Sequence, residues 1–234
     1  MARGFPEVDT KGVLASAVTP SGLGVSGAAS AYLLLTGVPP EAANIEVDAN
    51  FDRHVLASIL AVASSERGDL AAQTGLTEAE LGTLLCHHFA ARKIESSGDC
   101  AASLVDADEM EIVRELLLKN RSSEGDCGHW LASMIARRAM EPNHLWEDLG
   151  LRERSELTRL ISRHFAPLAL RNDKNMRWKR FIYRMMCEDD GFVMCSTPVC
   201  SNCADYELCY GAEAGASRVA SAAQPSGTAA AQTM

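Results

Sequence analysis

The chain has 234 residues, of which 47% are hydrophobic, and its formal net charge is −9. This hydrophobic content suffices for a buried core in one large domain or two small ones. The acidic balance argues against nucleic acid as a partner, because binding to phosphate backbones needs clustered Lys and Arg. No stretch reaches the roughly 18 apolar residues of a membrane helix, and the N-terminus lacks a signal-peptide pattern. We therefore expect a cytoplasmic protein that does not bind membranes.

The two ends of the chain differ in composition from its middle. Residues 1–50 are rich in Gly, Ala, Ser and Pro and are predicted to form a variable N-terminal arm, with one apolar run at 31–35 that is a short helix or strand. Residues 212–234 are low in complexity and predict a disordered tail. A helical domain is expected between them, over residues 51–211.

An internal repeat organises this middle region. "HVLASILA" at residues 54–61 returns 75 residues later as "HWLASMIA". "GLTEAELGTLLCHHFA" at residues 75–90 returns at 150–166 with one inserted residue. A duplicated unit of two helices is the simplest account of this pattern.

Periodicity supports helices in both copies. In the second helix of each unit, apolar residues recur at i, i+3 and i+4, and these are Leu81, Leu84 and Leu85 in one copy and Leu157, Leu160 and Ile161 in the other. Thr77 and Glu80 fit a capping box at the start of the first of these helices. The linker, roughly residues 95–126, carries a further candidate helix at 108–120. We predict an all-α protein in which duplicated helical hairpins pack as a bundle, followed by a C-terminal cysteine-rich loop.

The repeat places four histidines in matched pairs, His54 with His129 and His88 with His164. If the two halves pack with pseudo-twofold symmetry, these side chains converge and can bind a metal or an oxyanion. The alternative, which is the commoner case, is that they pack and hydrogen-bond at helix ends. His144 has no counterpart in the first unit. The candidates for a second site are therefore His144, His129 and His164.

The helix before the cysteines combines an apolar face with a basic stripe. The apolar face consists of Trp178, Phe181, Ile182 and Met185 at helical spacing. The basic stripe consists of Arg177, Arg180 and Arg184. In an acidic protein this stripe is a local positive surface for an anionic cluster, molybdate or an acidic partner. The alternative is a solvated face paired with nearby carboxylates.

Half of the eight cysteines lie within one short segment near the C-terminus. They form a C-x4-C-x2-C-x5-C ladder made of Cys195, Cys200, Cys203 and Cys209. In a reducing compartment, clustered cysteines more often bind metal than form disulfides. Four thiolates bind zinc and iron–sulfur clusters alike, but the ferredoxin-like spacing of the first three favours a cluster.

The other four cysteines are predicted to be dispensable for metal binding. Cys86 lies on an apolar helix and is expected in the core, while Cys187 is interpreted as a packed thiol. Cys100 and Cys127 fall in the variable linker.

Three segments together resemble the nitrogen-fixation protein Q (NifQ) family. They are "HLWEDLGL" at 144–151, "HFAPLALRNDKNMRWKRFIYR" at 164–184 and "CSTPVCSNCADYELCYG" at 195–211. The resemblance implies a molybdenum–iron–sulfur protein that supplies molybdenum for assembly of the nitrogenase iron–molybdenum cofactor. It also implies the nitrogenase iron protein and the NifEN scaffold complex as partners. The metal role carries over to the four ladder cysteines alone.

Two other functions stay open from the residues themselves. A ferredoxin-like electron-transfer protein would keep its cluster, and a structural zinc module would organise an interaction surface. An enzyme is the least supported class, because no nucleophile with base and orienting partner, phosphate loop or paired-carboxylate motif is recognised.

Overall fold

The computed structural model describes residues 27–90, 106–189, 191 and 200–220. These residues form α-helices and short 3₁₀ turns without a β-strand, which confirms the all-α prediction. None of these helices is long and apolar enough to cross a membrane. The helices are α1 (Gly27–Thr36), α2 (Asp48–Ser65), α3 (Leu70–Thr74), α4 (Glu78–Phe89), α5 (Ala107–Lys119), α6 (Cys127–Ala139), α7 (Leu145–Asp148), α8 (Arg154–His164), α9 (Ala166–Arg171), α10 (Trp178–Asp189) and α11 (Tyr206–Tyr210).

The sequence repeat is a structural repeat. Helices α2, α3 and α4 recur in the same order as α6, α7 and α8. This confirms the duplicated hairpins and adds a short helix between the two arms of each. The predicted capping box is also confirmed, because Thr77 Oγ1 accepts from the Glu80 backbone N–H and the Glu80 carboxylate accepts from the Thr77 N–H.

Two equivalent glycines show how the repeated units pack. Gly75 follows α3 with φ +69°, and Gly150 follows α7 with φ +71°. A Cβ on Gly75 would lie 2.8 Å from the carbonyl oxygen of Ser133, and a Cβ on Gly150 would lie 2.9 Å from that of Ser58. Ser58 and Ser133 are themselves 75 residues apart in the repeat. Each unit therefore places its glycine against the long helix of the other, as a pseudo-twofold arrangement requires.

A single apolar cluster holds the bundle together. Helix α2 lies at its centre, contacting α1, α3 and α6. The predicted apolar face of α10 is buried in full, since Trp178, Phe181, Ile182 and Met185 are each at most 4% exposed.

The packed unit extends beyond the predicted boundaries at residues 51 and 211. Helix α1 buries Tyr32 and Leu35 against α2, although it belongs to the predicted N-terminal arm. At the other end, Val219 is fully buried, and its Cγ2 lies 2.7 Å from the position that a Cβ on Gly150 would take. Residues 212–220 are thus part of the bundle because a single buried valine and nearby polar contacts attach them to it. The rest of the predicted tail, 221–234, and residues 1–26 lie outside the described residues.

Candidate metal centre

Three of the four ladder cysteines lie in the described part of the chain. Cys200 begins a short 3₁₀ turn, and the backbone N–H of Cys203 donates to the Cys200 carbonyl oxygen at 3.0 Å. Cys209 lies on α11. Within the described residues none of the three forms a disulfide, and all three are of intermediate exposure. Cys195 lies outside the described residues.

Arg177 holds the cysteine segment against the start of α10. Its backbone N–H donates to the carbonyl oxygen of Cys209 at 2.8 Å. Its guanidinium donates to the carbonyl oxygens of Leu208, Gly211 and Ala212, with the shortest of these contacts 2.9 Å. Arg177 therefore has a structural role, because its hydrogen bonds position α11 and Cys209.

The thiol of Cys200 lies in a polar, cationic environment. The Tyr210 hydroxyl donates a hydrogen bond to its sulfur, with an O···S distance of 3.7 Å. This contact lowers the pKa of Cys200, and the side chains of Arg184 and Lys174 act in the same direction. Burial and the neighbouring Cys200 raise the pKa of Tyr210 to about 12. Cys200 is therefore favoured as a thiolate, which is the form that binds metals.

A pocket of about 240 Å³ opens next to this thiol. Tyr210 and Arg184, which both interact with Cys200, form part of its wall. The charged side chains that line it are Arg171, Lys174, Arg184, Asp173 and Glu188. Three cations against two carboxylates give the pocket a positive balance within an acidic protein.

The predicted basic stripe has three different roles. Arg177 binds the backbone of the cysteine segment, and Arg184 lines the pocket while pairing with Glu188 at 2.7 Å. Arg180 is half-buried and, within the described residues, neither lines the pocket nor bonds to the cysteine segment. The stripe is therefore not one uniform docking surface.

The described ladder thiols do not lie in one compact set of ligand atoms. In the described ranges, the one set of three possible ligand atoms all within 4.8 Å of one another is Asp52, Cys127 and His164. Cys200, Cys203 and Cys209 do not form such a set. Four-cysteine sites hold zinc and iron–sulfur clusters alike, so the described thiols suit either metal group.

The histidines separate into two groups. His54 is buried, with its two ring nitrogens 2.6 Å from the Tyr32 hydroxyl and 3.2 Å from a Glu156 carboxylate oxygen. His164 is also buried and lies 2.9 Å from Asp52 Oδ1. By contrast, His129 is exposed, and His144 is half-buried with Nδ1 3.9 Å from a Glu213 carboxylate oxygen. His129 and His144 do not join His164 in the group of close ligand atoms.

Two cysteine predictions are corrected by the structure. Cys86 was expected in the core but is exposed, because it follows Leu81 by five residues and so points about 140° away from that apolar side chain. Cys127, assigned to the variable linker, is the first residue of α6 and lies beside Asp52 and His164. Sequence reasoning missed Asp52 and Cys127, although the repeat relates them, since they are 75 residues apart.

The Cys127, His164 and Asp52 group does not have the properties of a catalytic triad. Burial, together with the Asp52 carboxylate, raises the pKa of the Cys127 thiol to about 12, whereas a nucleophilic cysteine needs a lowered pKa. His164 is 1% exposed, which leaves little room for a substrate at the imidazole.

Comparison with known proteins finds one family over most of the chain. The NifQ family profile matches residues 55–211. A NifQ homolog of Sinorhizobium fredii is 36% identical over 181 residues, which cover 74% of this chain and 77% of that protein. The NifQ proteins of Azotobacter vinelandii and Rhodobacter capsulatus are each 37% identical, over 77% and 86% of their lengths and 59% and 67% of this chain. No solved structure matches the chain.

Fold and site together define a class of helical proteins in which a duplicated bundle carries a C-terminal cysteine segment. The matched region contains the first repeated unit from residue 55 onward, the whole second unit, α10 and the whole cysteine ladder. The chain belongs to the NifQ family.

Proposed function

We propose that this protein carries a molybdenum–iron–sulfur cluster and donates molybdenum for assembly of the nitrogenase iron–molybdenum cofactor. The observation that carries the proposal is the cysteine ladder following the α10 helix, in a chain of the NifQ family. The cluster is cargo, and the protein acts as a carrier rather than an enzyme. Its expected partners are the nitrogenase iron protein and the NifEN scaffold complex, in the cytoplasm.

The contacts of the cysteine segment support transfer of a cluster. The segment is attached to α10 mainly through Arg177, and its three described thiols are partly exposed. A cluster held by such a short surface segment is easier for a partner to reach than one inside a core. Sulfur ligands also suit iron–sulfur clusters by their softness.

The pocket beside Cys200 supports a route for the metal. Molybdenum reaches cells as molybdate, a tetrahedral dianion, and the positive balance of Arg171, Lys174 and Arg184 attracts such an ion. Glu188, on the wall of the same pocket and paired with Arg184, opposes binding and favours release. Weak, reversible capture next to a reactive thiolate is what a carrier requires.

Two other functions make different predictions for metal content. A ferredoxin-like electron-transfer protein would contain iron without molybdenum and would keep its cluster through repeated redox cycles. A structural zinc module would contain zinc alone. The ferredoxin-like sequence spacing of Cys195, Cys200 and Cys203 favours a cluster over zinc.

Elemental analysis of anaerobically purified protein tests the proposal directly. We expect molybdenum and iron in the parent protein and in the Cys86→Ser control, because Cys86 is an exposed residue of α4. We expect strong loss of iron in Cys195→Ser, Cys200→Ser, Cys203→Ser and Cys209→Ser. Iron without molybdenum would support electron transfer, and zinc without iron that is lost in the four ladder variants would support the structural module.

A genetic experiment tests delivery. Cells without the protein should fix nitrogen poorly at low molybdate and recover when molybdate is raised, because excess metal bypasses a donor but does not replace a redox partner. If high molybdate does not restore fixation, the carrier proposal is wrong.

A further inference from the structure

A second group of metal-binding side chains lies where the two repeated units meet. Asp52 is on α2, Cys127 is the first residue of α6 and His164 is the last residue of α8. One ligand atom from each lies within 4.8 Å of the other two. We propose that Asp52, Cys127 and His164 bind one Zn²⁺ ion, independently of the cysteine ladder.

The donor set matches the chemistry of Zn²⁺. A thiolate sulfur, an imidazole nitrogen and a carboxylate oxygen are its three usual protein ligands, at about 2.0–2.3 Å. Tetrahedral geometry at these lengths needs ligand atoms about 3.3–3.8 Å apart, so the present group needs only small side-chain movements. Calcium and magnesium are disfavoured, because they select all-oxygen sites.

The groups around the three side chains already orient them. His164 Nδ1 lies 2.9 Å from Ser123 Oγ, which leaves Nε2 directed at Asp52. A metal-bound histidine is typically held in this way through its other ring nitrogen. Ser123 precedes α6, and the neighbouring Ser122 donates its backbone N–H to the His164 carbonyl oxygen at 2.8 Å. The loop before α6 therefore fixes the end of α8, which carries His164, next to the start of α6, which carries Cys127.

Arg163 stabilises the group when no metal is bound, and it also limits the affinity of the group for a cation. Its Nε donates to Asp52 Oδ1 at 2.8 Å and its Nη2 to Oδ2 at 2.9 Å. The carboxylate is thus paired in the described state, while its remaining lone pairs stay available to an ion. Because a guanidinium next to a cation is repulsive, we expect weaker binding than at a structural four-cysteine zinc site.

The pseudo-twofold packing explains why the ligands meet. Asp52 and Cys127 occupy equivalent positions in the repeat, and His88 is the equivalent of His164. Asp52, Cys127 and His164 are the members of these equivalent positions that meet in the group. A duplicated unit folded on itself therefore brings the equivalent positions 52 and 127 of its two copies together.

The test is a Co²⁺ and Zn²⁺ titration of full-length protein in which the four ladder cysteines are replaced by serine. Co²⁺ is the spectroscopic probe, since thiolate ligation gives a near-ultraviolet charge-transfer band. We expect saturation at one ion per chain, with the band present, and a Zn²⁺-dependent rise in melting temperature. Adding Cys127→Ser should abolish the band, whereas adding Cys187→Ser should leave it unchanged.

A substitution that keeps all three ligands distinguishes a loss of binding from a loss of the fold. Ser123→Ala touches no ligand atom but removes the partner of His164 Nδ1, so it should lower Zn²⁺ affinity about tenfold or more. Circular dichroism of each metal-free variant verifies its helix content. Absence of saturable binding in the parent, or an unchanged band in Cys127→Ser, would overturn the proposal. Because the ladder is absent from every protein tested, failure here leaves the proposed carrier function untouched.

Discussion

The backbone N–H of Arg177 donates a 2.8 Å hydrogen bond to the carbonyl oxygen of Cys209. The side chain of the same arginine binds the carbonyl oxygens of Gly211 and Ala212, just after α11. One residue at the start of α10 therefore attaches the last ladder cysteine to the bundle. The apolar face of α10 is buried, so this attachment is fixed relative to the core.

Arg177→Ala should reduce the amount of iron that the protein retains. Hydrogen bonds from a charged group contribute about 1.5–3 kcal/mol, and their loss frees Cys209 to move away from the other ligands. The measurement is iron per chain after anaerobic reconstitution and gel filtration. Arg180→Ala, on the same helix, is the matched control and should retain iron. Equal iron in both variants would show that Arg177 does not position the ladder.

The pocket next to Cys200 should control the rate of molybdenum uptake. In a double variant with Arg171→Gln and Lys174→Gln, we expect slower uptake from molybdate, by about tenfold at low salt, because electrostatic attraction to an anion is lost. Iron content should not change, since neither residue belongs to the ladder. The difference should shrink as ionic strength rises.

A change of charge elsewhere provides the control for that experiment. Arg67, between α2 and α3, is exposed, and Arg67→Gln alters net charge without touching the pocket or the ion pairs of its cations. Slower uptake in Arg67→Gln to the same degree would mean that overall charge, rather than the pocket, governs uptake.

Glu66→Gln should destabilise the protein at neutral pH. The Arg138 side chain is fully buried and donates from Nη1 and Nη2 to the two Glu66 carboxylate oxygens at 2.6 and 2.7 Å. Removal of one partner of a buried pair costs about 3 kcal/mol or more in free energy of unfolding, because the other charge stays buried without compensation. Urea denaturation followed by circular dichroism measures this loss.

The destabilisation should depend on pH in a defined direction. Burial alone would raise the pKa of Glu66, but Arg138, with Arg218 beside it, offsets this and holds the pKa below its usual range. The stabilisation is then complete above the ordinary glutamate pKa of about 4.5 and is lost as pH falls through the lower folded value. The difference in free energy of unfolding between the parent and Glu66→Gln should therefore become smaller in acid. A difference that does not change with pH would contradict the pairing. Glu124 is exposed, so the control Glu124→Gln should have little effect at any pH.

Val219→Ala should destabilise the bundle, although Val219 belongs to a segment predicted as a disordered tail. The side chain is fully buried next to Gly150, and loss of two methyl groups there costs about 1–2 kcal/mol. Thermal denaturation measures the loss. Val47→Ala is the matched control, because Val47 is 59% exposed. Equal melting temperatures for the two variants would mean that residues 212–220 do not stabilise the fold.

Local features of this protein were predictable from its sequence. The helices of the two units follow from apolar residues at i, i+3 and i+4, and the capping box at Thr77 follows from residues three positions apart. The repeat and the cysteine spacing are also visible directly. These signals are encoded within a few residues or by exact duplication, so no knowledge of packing is needed to find them.

Contacts between distant residues depended on the tertiary structure. Spacing grouped Arg177 with Arg180 and Arg184, but packing turned Arg177 to the backbone of residues 208–212. Composition suggested disorder after residue 211, yet one buried valine and an arginine bound to Glu66 attach residues 212–220 to the bundle.

The group formed by Asp52, Cys127 and His164 separates most clearly what the sequence determined from what the tertiary structure decided. The repeat determined by itself that residues 52 and 127 are equivalent, and that each unit forms a helical hairpin. It did not determine that these positions face each other, because an apolar pattern specifies which side of a helix is buried but not which helix covers it. The close approach of each unit's glycine, Gly75 or Gly150, to the long helix of the other decided that geometry, and it brought side chains 112 positions apart within hydrogen-bonding distance.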